Sequence, residues 1–144
     1  MSRIEEALSY FGDNFNCAQS IFGAFAPHYG LDTDKALKIS SGFGGGMGRS
    51  GRACGAVTGA YMVIGLKNGM GINKDTEAKD KTYQIVSEFS NHFQEKNGSM
   101  MCKEILGCDI TTPEGIAYFT QNELLEKKCF QCVKTAAEIL EELL

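Results

Sequence analysis

Residues 41–59 read SGFGGGMGRSGRACGAVTG, and this stretch decides how the chain on either side of it folds. Glycine inside a helix costs about 1 kcal/mol relative to alanine, so the glycine-rich run 41–51 is predicted to be a loop. A helix is expected to follow, from Cys54 to Lys67 or Asn68. Glycines recur at every fourth position near its start and predict a smooth strip against which another helix packs closely. They are Gly51, Gly55 and Gly59.

Apolar residues recur at helical spacing in the segments on both sides of this stretch. Several of these segments follow an Asn, Asp, Ser or Thr, whose side chain caps a helix N-terminus. The further predicted helices cover residues 4–11, 17 towards Pro27, 33–40, 75–96, 100–106, 113–119 and 122–143, with caps at Asn14 or Asn16, Asp32 or Thr33, Ser99, and Thr111 or Thr112. No strand pattern is present. The sequence therefore predicts an all-α fold of about eight helices, with a glycine-rich loop before a central helix.

The last predicted helix carries an apolar stripe that contains a cysteine. The stripe repeats at the 3-4-3 spacing of a buried helix face, through Cys129, Val133, Ala136, Leu140 and Leu143. It predicts that Cys129 points inwards, with Cys132 on the same side of the helix.

Length and composition indicate one self-sufficient domain that spans residues 1–144. A chain of this size buries roughly 70% of its unfolded surface without disulfide bonds, and 43% of its residues are hydrophobic. The net charge is −4, with 14 basic residues scattered among 18 acidic ones, so no basic face for nucleic acid is expected. The acidic start of the chain and the short apolar runs predict a cytoplasmic protein without a membrane span.

Six cysteines are the richest source of chemistry in the chain. They are Cys17, Cys54, Cys102, Cys108, Cys129 and Cys132. The first three fall near predicted helix starts, where the partial positive charge lowers the pKa of a thiol. The last two form a CxxC pair, which is typical of a redox dithiol or of half a metal site, although the strand context of a thioredoxin is missing.

The glycine-rich run also contains a literal match to a dinucleotide-binding motif. That motif, GMGRSG at residues 46–51, works only between a strand and a helix, and here a helix is expected before it. The remaining functional interpretation is a site for negative charge. Its residues would be Gly46, Gly48, Arg49 and Arg52, whose backbone N–H groups and side chains stabilise a thiolate, a cluster or a bound anion.

These motifs together resemble a family of redox-active proteins named for the pattern C_GCAxxG_C_C. The resemblance rests on CGAVTG at residues 54–59, NCAQ at 16–19, the loop GGGMGR at 44–49, and the downstream cysteines, and it covers nearly the whole chain. It implies that four cysteines carry the function, which by position are Cys17, Cys54, Cys102 and Cys129. Ala53 stands where the family pattern has glycine, and Cys108 and Cys132 are additional to the four.

The sequence leaves three functions open. The first is a thiol-based redox protein of the thiol–disulfide oxidoreductase class. In it Cys54 is the most activated thiol, Cys17 or Cys129 its partner, and Arg49 or Arg52 the source of positive potential. The second is an electron-transfer or sensor protein in which the same four cysteines bind an Fe–S cluster or another metal. The third is a helical scaffold with inert buried thiols. The redox partner, a protein or a small molecule, is not readable from these residues.

Overall fold

The computed structural model describes residues 1–144 and contains eight α-helices longer than four residues and no strand. The helices are α1 (Arg3–Gly12), α2 (Cys17–Phe25), α3 (Thr33–Ser40), α4 (Gly55–Asn68), α5 (Thr76–Asn97), α6 (Cys102–Leu106), α7 (Pro113–Gln121) and α8 (Phe130–Leu143). Shorter helical turns connect some of them, at Ala26–Tyr29, Ser41–Phe43, Gly44–Met47 and Leu125–Cys129. The prediction of an all-α fold is confirmed.

Side-chain caps fix where several helices begin. The N-terminus of α2 has a reciprocal cap, in which the Asn16 side chain accepts from the Gln19 N–H (2.9 Å) and the Gln19 side chain accepts from the Asn16 N–H (3.2 Å). Thr112 caps α7, since its Oγ1 accepts from the Gly115 N–H at 3.0 Å. The predicted cap at Ser99 is wrong, because Met101 immediately precedes α6. The Ser99 hydroxyl instead accepts from the Met101 N–H at 3.0 Å and donates to the Glu104 carboxylate at 3.1 Å.

Helices α2 and α4 cross at small residues, and this crossing brings their N-termini together. A β-carbon on Gly55 would lie 2.9 Å from the Ala18 nitrogen, and one on Gly59 would lie 3.0 Å from the Ala18 oxygen. Distances this short leave no room for a side chain, so the predicted glycine strip is confirmed at these two positions. Gly51 is not part of it, because it lies in the loop before α4 with φ at +73°.

One main core joins the longer helices. Its largest fully buried side chains are Phe25, Phe89, Phe93, Ile21, Ile64, Ile139 and Leu140, which come from α2, α4, α5 and α8. Phe89 and Phe93 stack on each other in α5, the longest helix, with ring centroids 5.9 Å apart. A second, smaller core of Cys102, Leu106 and Leu124 lies under α6 and α7.

The last helix differs from its prediction at its start. Residues Leu125–Cys129 form a π-helical turn, and regular α-helix begins only at Phe130. The wider turn changes the phase of the helix, so Cys132 is buried while Cys129 is only part-buried. Cys129 still packs against the second core and so points inwards as predicted, although the 3-4-3 spacing assumed an unbroken α-helix from residue 122.

None of the helices combines the length and the hydropathy that crossing a bilayer requires.

Candidate functional site

A cavity of about 750 Å³ collects five of the six cysteines. They are Cys17, Cys54, Cys102, Cys129 and Cys132. The four cysteines that the family resemblance singled out are thus brought together, although 112 positions separate the first from the last in sequence (129 − 17). All six cysteines are free thiols in this structure.

Cys17 and Cys54 reach the cavity because they lie at the N-terminal ends of α2 and α4, where the two helices cross. Cys17 is the first residue of α2, and Cys54 immediately precedes α4. The glycine at position 55 lets the two helix starts approach, since a β-carbon there would lie 3.1 Å from the Cys17 Cβ. Cys54 is 5% exposed, whereas Cys17 is part-buried.

Cys54 and Cys132 both line the cavity and lie close enough for each to shift the pKa of the other. The Cys132 thiol donates to the Cys54 sulfur, and this contact is the main reason why the pKa of Cys54 is lowered. Burial opposes this effect, and the backbone N–H groups of Ala56 and Val57, in the first turn of α4, lower the pKa further, so that the net shift is downward. The same hydrogen bond raises the pKa of Cys132, which is also buried. The pair therefore favours a thiolate on Cys54 and a thiol on Cys132.

Cys17 forms a second pair, with Cys129. The hydrogen bond to Cys129 is the main cause that raises the pKa of Cys17, and burial and the nearby Cys54 act in the same direction. The two residues of the CxxC motif, Cys129 and Cys132, thus belong to different pairs. Cys17, one of the partners expected for Cys54 from the sequence, is also a neighbour of Cys54, since the charge of Cys54 raises the pKa of Cys17.

Cys102 also lines the cavity, and three backbone hydrogen bonds hold α6 to the segment before α4. The Cys102 N–H donates to the Arg52 oxygen at 2.6 Å, the Lys103 N–H to the Gly51 oxygen at 3.0 Å, and the Cys54 N–H to the Met100 oxygen at 2.8 Å. Burial, together with Cys54, Cys129 and Cys108 nearby, raises the pKa of Cys102 to about 12. Cys102 therefore stays protonated at neutral pH.

The glycine-rich run forms a left-handed turn at the cavity wall. Five successive residues, 45–49, have φ between 63° and 70°. The turn is closed by the Arg49 N–H, which donates to the Gly44 oxygen at 2.9 Å, and by the Ser50 hydroxyl, which donates to the Gly46 oxygen at 2.7 Å. Left-handed backbone costs a non-glycine residue roughly 1–2 kcal/mol, so Met47 and Arg49 hold this conformation under strain.

The two arginines of the run have different surroundings. Arg49 lines the cavity together with Gly46 and Gly48, and it is the one charged residue that does so. Arg52 is exposed and lies outside the cavity lining. Neither arginine contributes to the lowered pKa of Cys54, so backbone N–H groups and Cys132 replace them as the source of the effect predicted from the sequence.

The two cysteines that are additional to the family pattern, Cys108 and Cys132, lie in different surroundings. Cys132 lines the cavity and contacts Cys54, whereas Cys108 is absent from the lining. Cys132 is additional to the four cysteines of the family pattern. The CxxC spacing did place it on the same helix side as Cys129, and that spacing was the signal from which its position could have been found.

The metal-binding alternative finds no ready ligand group. No three Cys, His, Asp or Glu side chains have an arrangement that could hold a metal ion. The thiols of Cys17, Cys54, Cys102 and Cys129 line a common cavity, yet their closest associations are the two pairs described above.

A family model with the description "Putative redox-active protein (C_GCAxxG_C_C)" matches residues 15–143 of the chain. The match begins just before Cys17 and ends near the end of α8, so it includes every cysteine of the cavity. No curated protein and no solved structure matches the chain.

Proposed function

The chain belongs to the C_GCAxxG_C_C family of redox-active proteins, and from this premise we propose that it reduces disulfides by thiol–disulfide exchange. The observation that carries the proposal is that Cys54 and Cys132 line the same cavity, where Cys132 lowers the pKa of Cys54. A thiolate is the attacking species in this chemistry, and a neighbouring thiol completes it by resolving the mixed disulfide.

Cys54 has the properties of the attacking residue. Its pKa is lowered, whereas the pKa values of Cys17, Cys102, Cys108 and Cys132 are raised. The causes that lower it, a thiol donor and two backbone N–H groups, are built into the start of α4. A thiolate at this position therefore forms without a charged side chain beside it.

The reaction begins when the Cys54 thiolate attacks one sulfur of the substrate disulfide. A mixed disulfide forms, and the second substrate sulfur leaves as a thiolate, which accepts the proton of Cys132. The Cys132 thiolate then attacks the Cys54 sulfur, so that the first substrate sulfur leaves as a thiolate and a Cys54–Cys132 disulfide remains. Two electrons pass from the two cysteines to the substrate disulfide, and an external dithiol returns them by the reverse exchange.

The order of these steps follows from the coupling within the pair. The thiolate form of Cys54 is what raises the pKa of Cys132, through the hydrogen bond and through charge. Once Cys54 has attacked, it carries no negative charge, and this cause disappears. Cys132 therefore becomes easier to deprotonate at the step that needs its thiolate.

The experiment that tests the proposal is mild oxidation of the reduced protein with diamide, followed by peptide mapping without reductant. We expect a Cys54–Cys132 crosslink as the first product. Cys54→Ser abolishes it, and Cys108→Ser is the matched control that leaves it unchanged, because Cys108 does not line the cavity. Six thiols that stay free under diamide would contradict exchange chemistry and would favour an inert helical scaffold.

A second measurement addresses the metal alternative. Protein purified without oxygen is analysed for iron and zinc. We expect substoichiometric metal, because no ligand group of three side chains is present. One equivalent of metal that is lost in Cys54→Ser would replace the exchange proposal by a metal centre.

A further inference from the structure

The depth of the reactive pair limits which disulfides can reach it. Cys54 is 5% exposed and Cys132 is 2% exposed, while the rim of the cavity includes Ile116 and Leu125, which are 53% and 45% exposed. A disulfide on the surface of a folded protein cannot extend to sulfurs at this depth without unfolding. A cavity of about 750 Å³ is, in contrast, within the usual range for a small-molecule site of roughly 300–1,000 Å³.

The lining of the cavity favours an apolar molecular body. Besides the cysteines and glycines, most of the lining side chains are aliphatic or aromatic. They are Phe11, Phe15, Ile105, Leu106, Ile110, Ile116, Phe119 and Leu125. No Asp or Glu lines the cavity, so a negatively charged ligand meets no carboxylate there and only the Cys54 thiolate opposes it.

Arg49 is the one positively charged side chain in the lining of this apolar cavity. It forms no ion pair with any carboxylate of the chain. Its stem lies along the left-handed turn, since a β-carbon on Gly45 would be 2.9 Å from the Arg49 Cγ and 3.5 Å from the Ile110 Cδ1. The Arg49 stem therefore lies next to Gly45 at the cavity wall, and the side chain is exposed and has no ion-pair partner in the chain.

We infer that the substrate is a small disulfide with an apolar body and an anionic group, which Arg49 binds while the disulfide reaches Cys54. A guanidinium binds a carboxylate through two parallel hydrogen bonds, which orient the ligand as well as hold it. This inference depends on the proposed exchange reaction. It adds the size, the polarity and the charge of the molecule that the reaction consumes.

The test compares two probes that differ only in charge. Lipoate has a cyclic disulfide on an aliphatic chain that ends in a carboxylate, and lipoamide ends in a neutral amide. Prereduced protein is mixed with excess probe, quenched with acid, and assayed for the remaining protein thiols. We expect Arg49→Asn to raise the half-saturating concentration of lipoate about tenfold, the range of a charged hydrogen bond, and to leave that of lipoamide unchanged.

Two further variants separate charge from structure. Asn accepts positive φ better than most residues, so Arg49→Asn is expected to retain the turn, and Arg49→Lys should recover most of the preference for lipoate. Arg52→Asn is the matched control, because Arg52 is a neighbouring arginine outside the cavity. Arg52→Asn should leave the half-saturating concentrations of both lipoate and lipoamide unchanged.

The outcomes distinguish the inference from the reaction on which it depends. Equal effects of Arg49→Asn on both probes, or an effect of Arg52→Asn as large as that of Arg49→Asn, would overturn the inference alone. The inference would also be overturned if the wild-type protein reduced neither probe in a sample that still forms the Cys54–Cys132 crosslink. Absence of that crosslink would overturn the exchange reaction.

Discussion

Gly46 lies against Cys102 so closely that a β-carbon on residue 46 would be 2.7 Å from the Cys102 Cβ. The same β-carbon would lie 2.6 Å from the Arg52 nitrogen. Residue 46 therefore packs the left-handed turn against Cys102, and this position leaves no room for a side chain.

Replacement of Gly46 by alanine is expected to destabilise the protein by about 2–4 kcal/mol, because it combines a positive φ with a clash against backbone. Urea unfolding measures the change. Gly42→Ala is the matched control in the same run, since a β-carbon there meets nothing within 4 Å. Equal stability of the two variants would show that the close contact at residue 46 is not present in solution.

The crossing of α2 and α4 gives a second glycine comparison, within one helix. Gly59→Ala should destabilise the protein by roughly 1–3 kcal/mol, because its β-carbon would lie 3.0 Å from the Ala18 oxygen and push the helices apart. Gly65→Ala should instead stabilise it by up to about 1 kcal/mol, since that position is open and alanine favours helix. Thermal unfolding monitored by circular dichroism checks that the two changes have opposite signs.

The reactivity of Cys54 should depend on pH with a midpoint below the ordinary thiol value of about 8.5, because its pKa is lowered. Cys132→Ala removes the largest cause of that lowering and should move the midpoint upward. The rate of alkylation by iodoacetamide, followed at Cys54 by mass spectrometry between pH 6 and 10, measures it. Cys108→Ala should leave the midpoint unchanged. A midpoint that is also unchanged in Cys132→Ala would contradict the interaction of Cys54 with Cys132.

The cysteines also predict how stability changes at alkaline pH. A thiol whose pKa is raised in the folded state stabilises the protein below its unfolded value, and that contribution is lost as pH rises towards the folded value. Cys102, with a pKa of about 12, and Cys17 and Cys132, with raised values, all act in this sense. Cys54 acts in the opposite sense, since its lowered pKa adds stability at high pH.

We therefore expect the free energy of unfolding of the reduced protein to fall as pH rises above about 8.5. Urea unfolding at pH 7, 8, 9 and 10 under reducing conditions measures it. The fall should be less steep in Cys102→Ala than in the wild type. A parallel pH profile in the two proteins would contradict the assigned burial of Cys102.

Much of the helical fold was readable from the sequence, because helix boundaries depend on local signals. Asn16 and Thr112 cap their helices as predicted, and Gly98 ends the longest one in a left-handed conformation. Two boundaries failed for physical reasons. Residues Leu125–Cys129 form a π-helical turn before α8, and Met101, the residue before α6, pairs with Ala53 in the segment before α4.

The sequence predicted which cysteines converge at the candidate site, but it did not predict which of them interact. The family pattern predicted that Cys17, Cys54, Cys102 and Cys129 converge, and all four line the cavity. The association of Cys54 with Cys132, and of Cys17 with Cys129, depends on how α2, α4 and α8 meet in space. Spacing along the chain suggested instead that Cys129 and Cys132 act on each other, since it contains no information on the neighbouring helices.

The left-handed turn at residues 45–49 has a consequence for chirality. An L-amino acid is disfavoured at positive φ because of the position of its β-carbon, and the mirror-image residue has the opposite preference. Met47 is exposed at 41%, so its side chain is not needed for packing. In a chemically synthesised chain, D-methionine at residue 47 would therefore fit the backbone with less strain than the natural enantiomer.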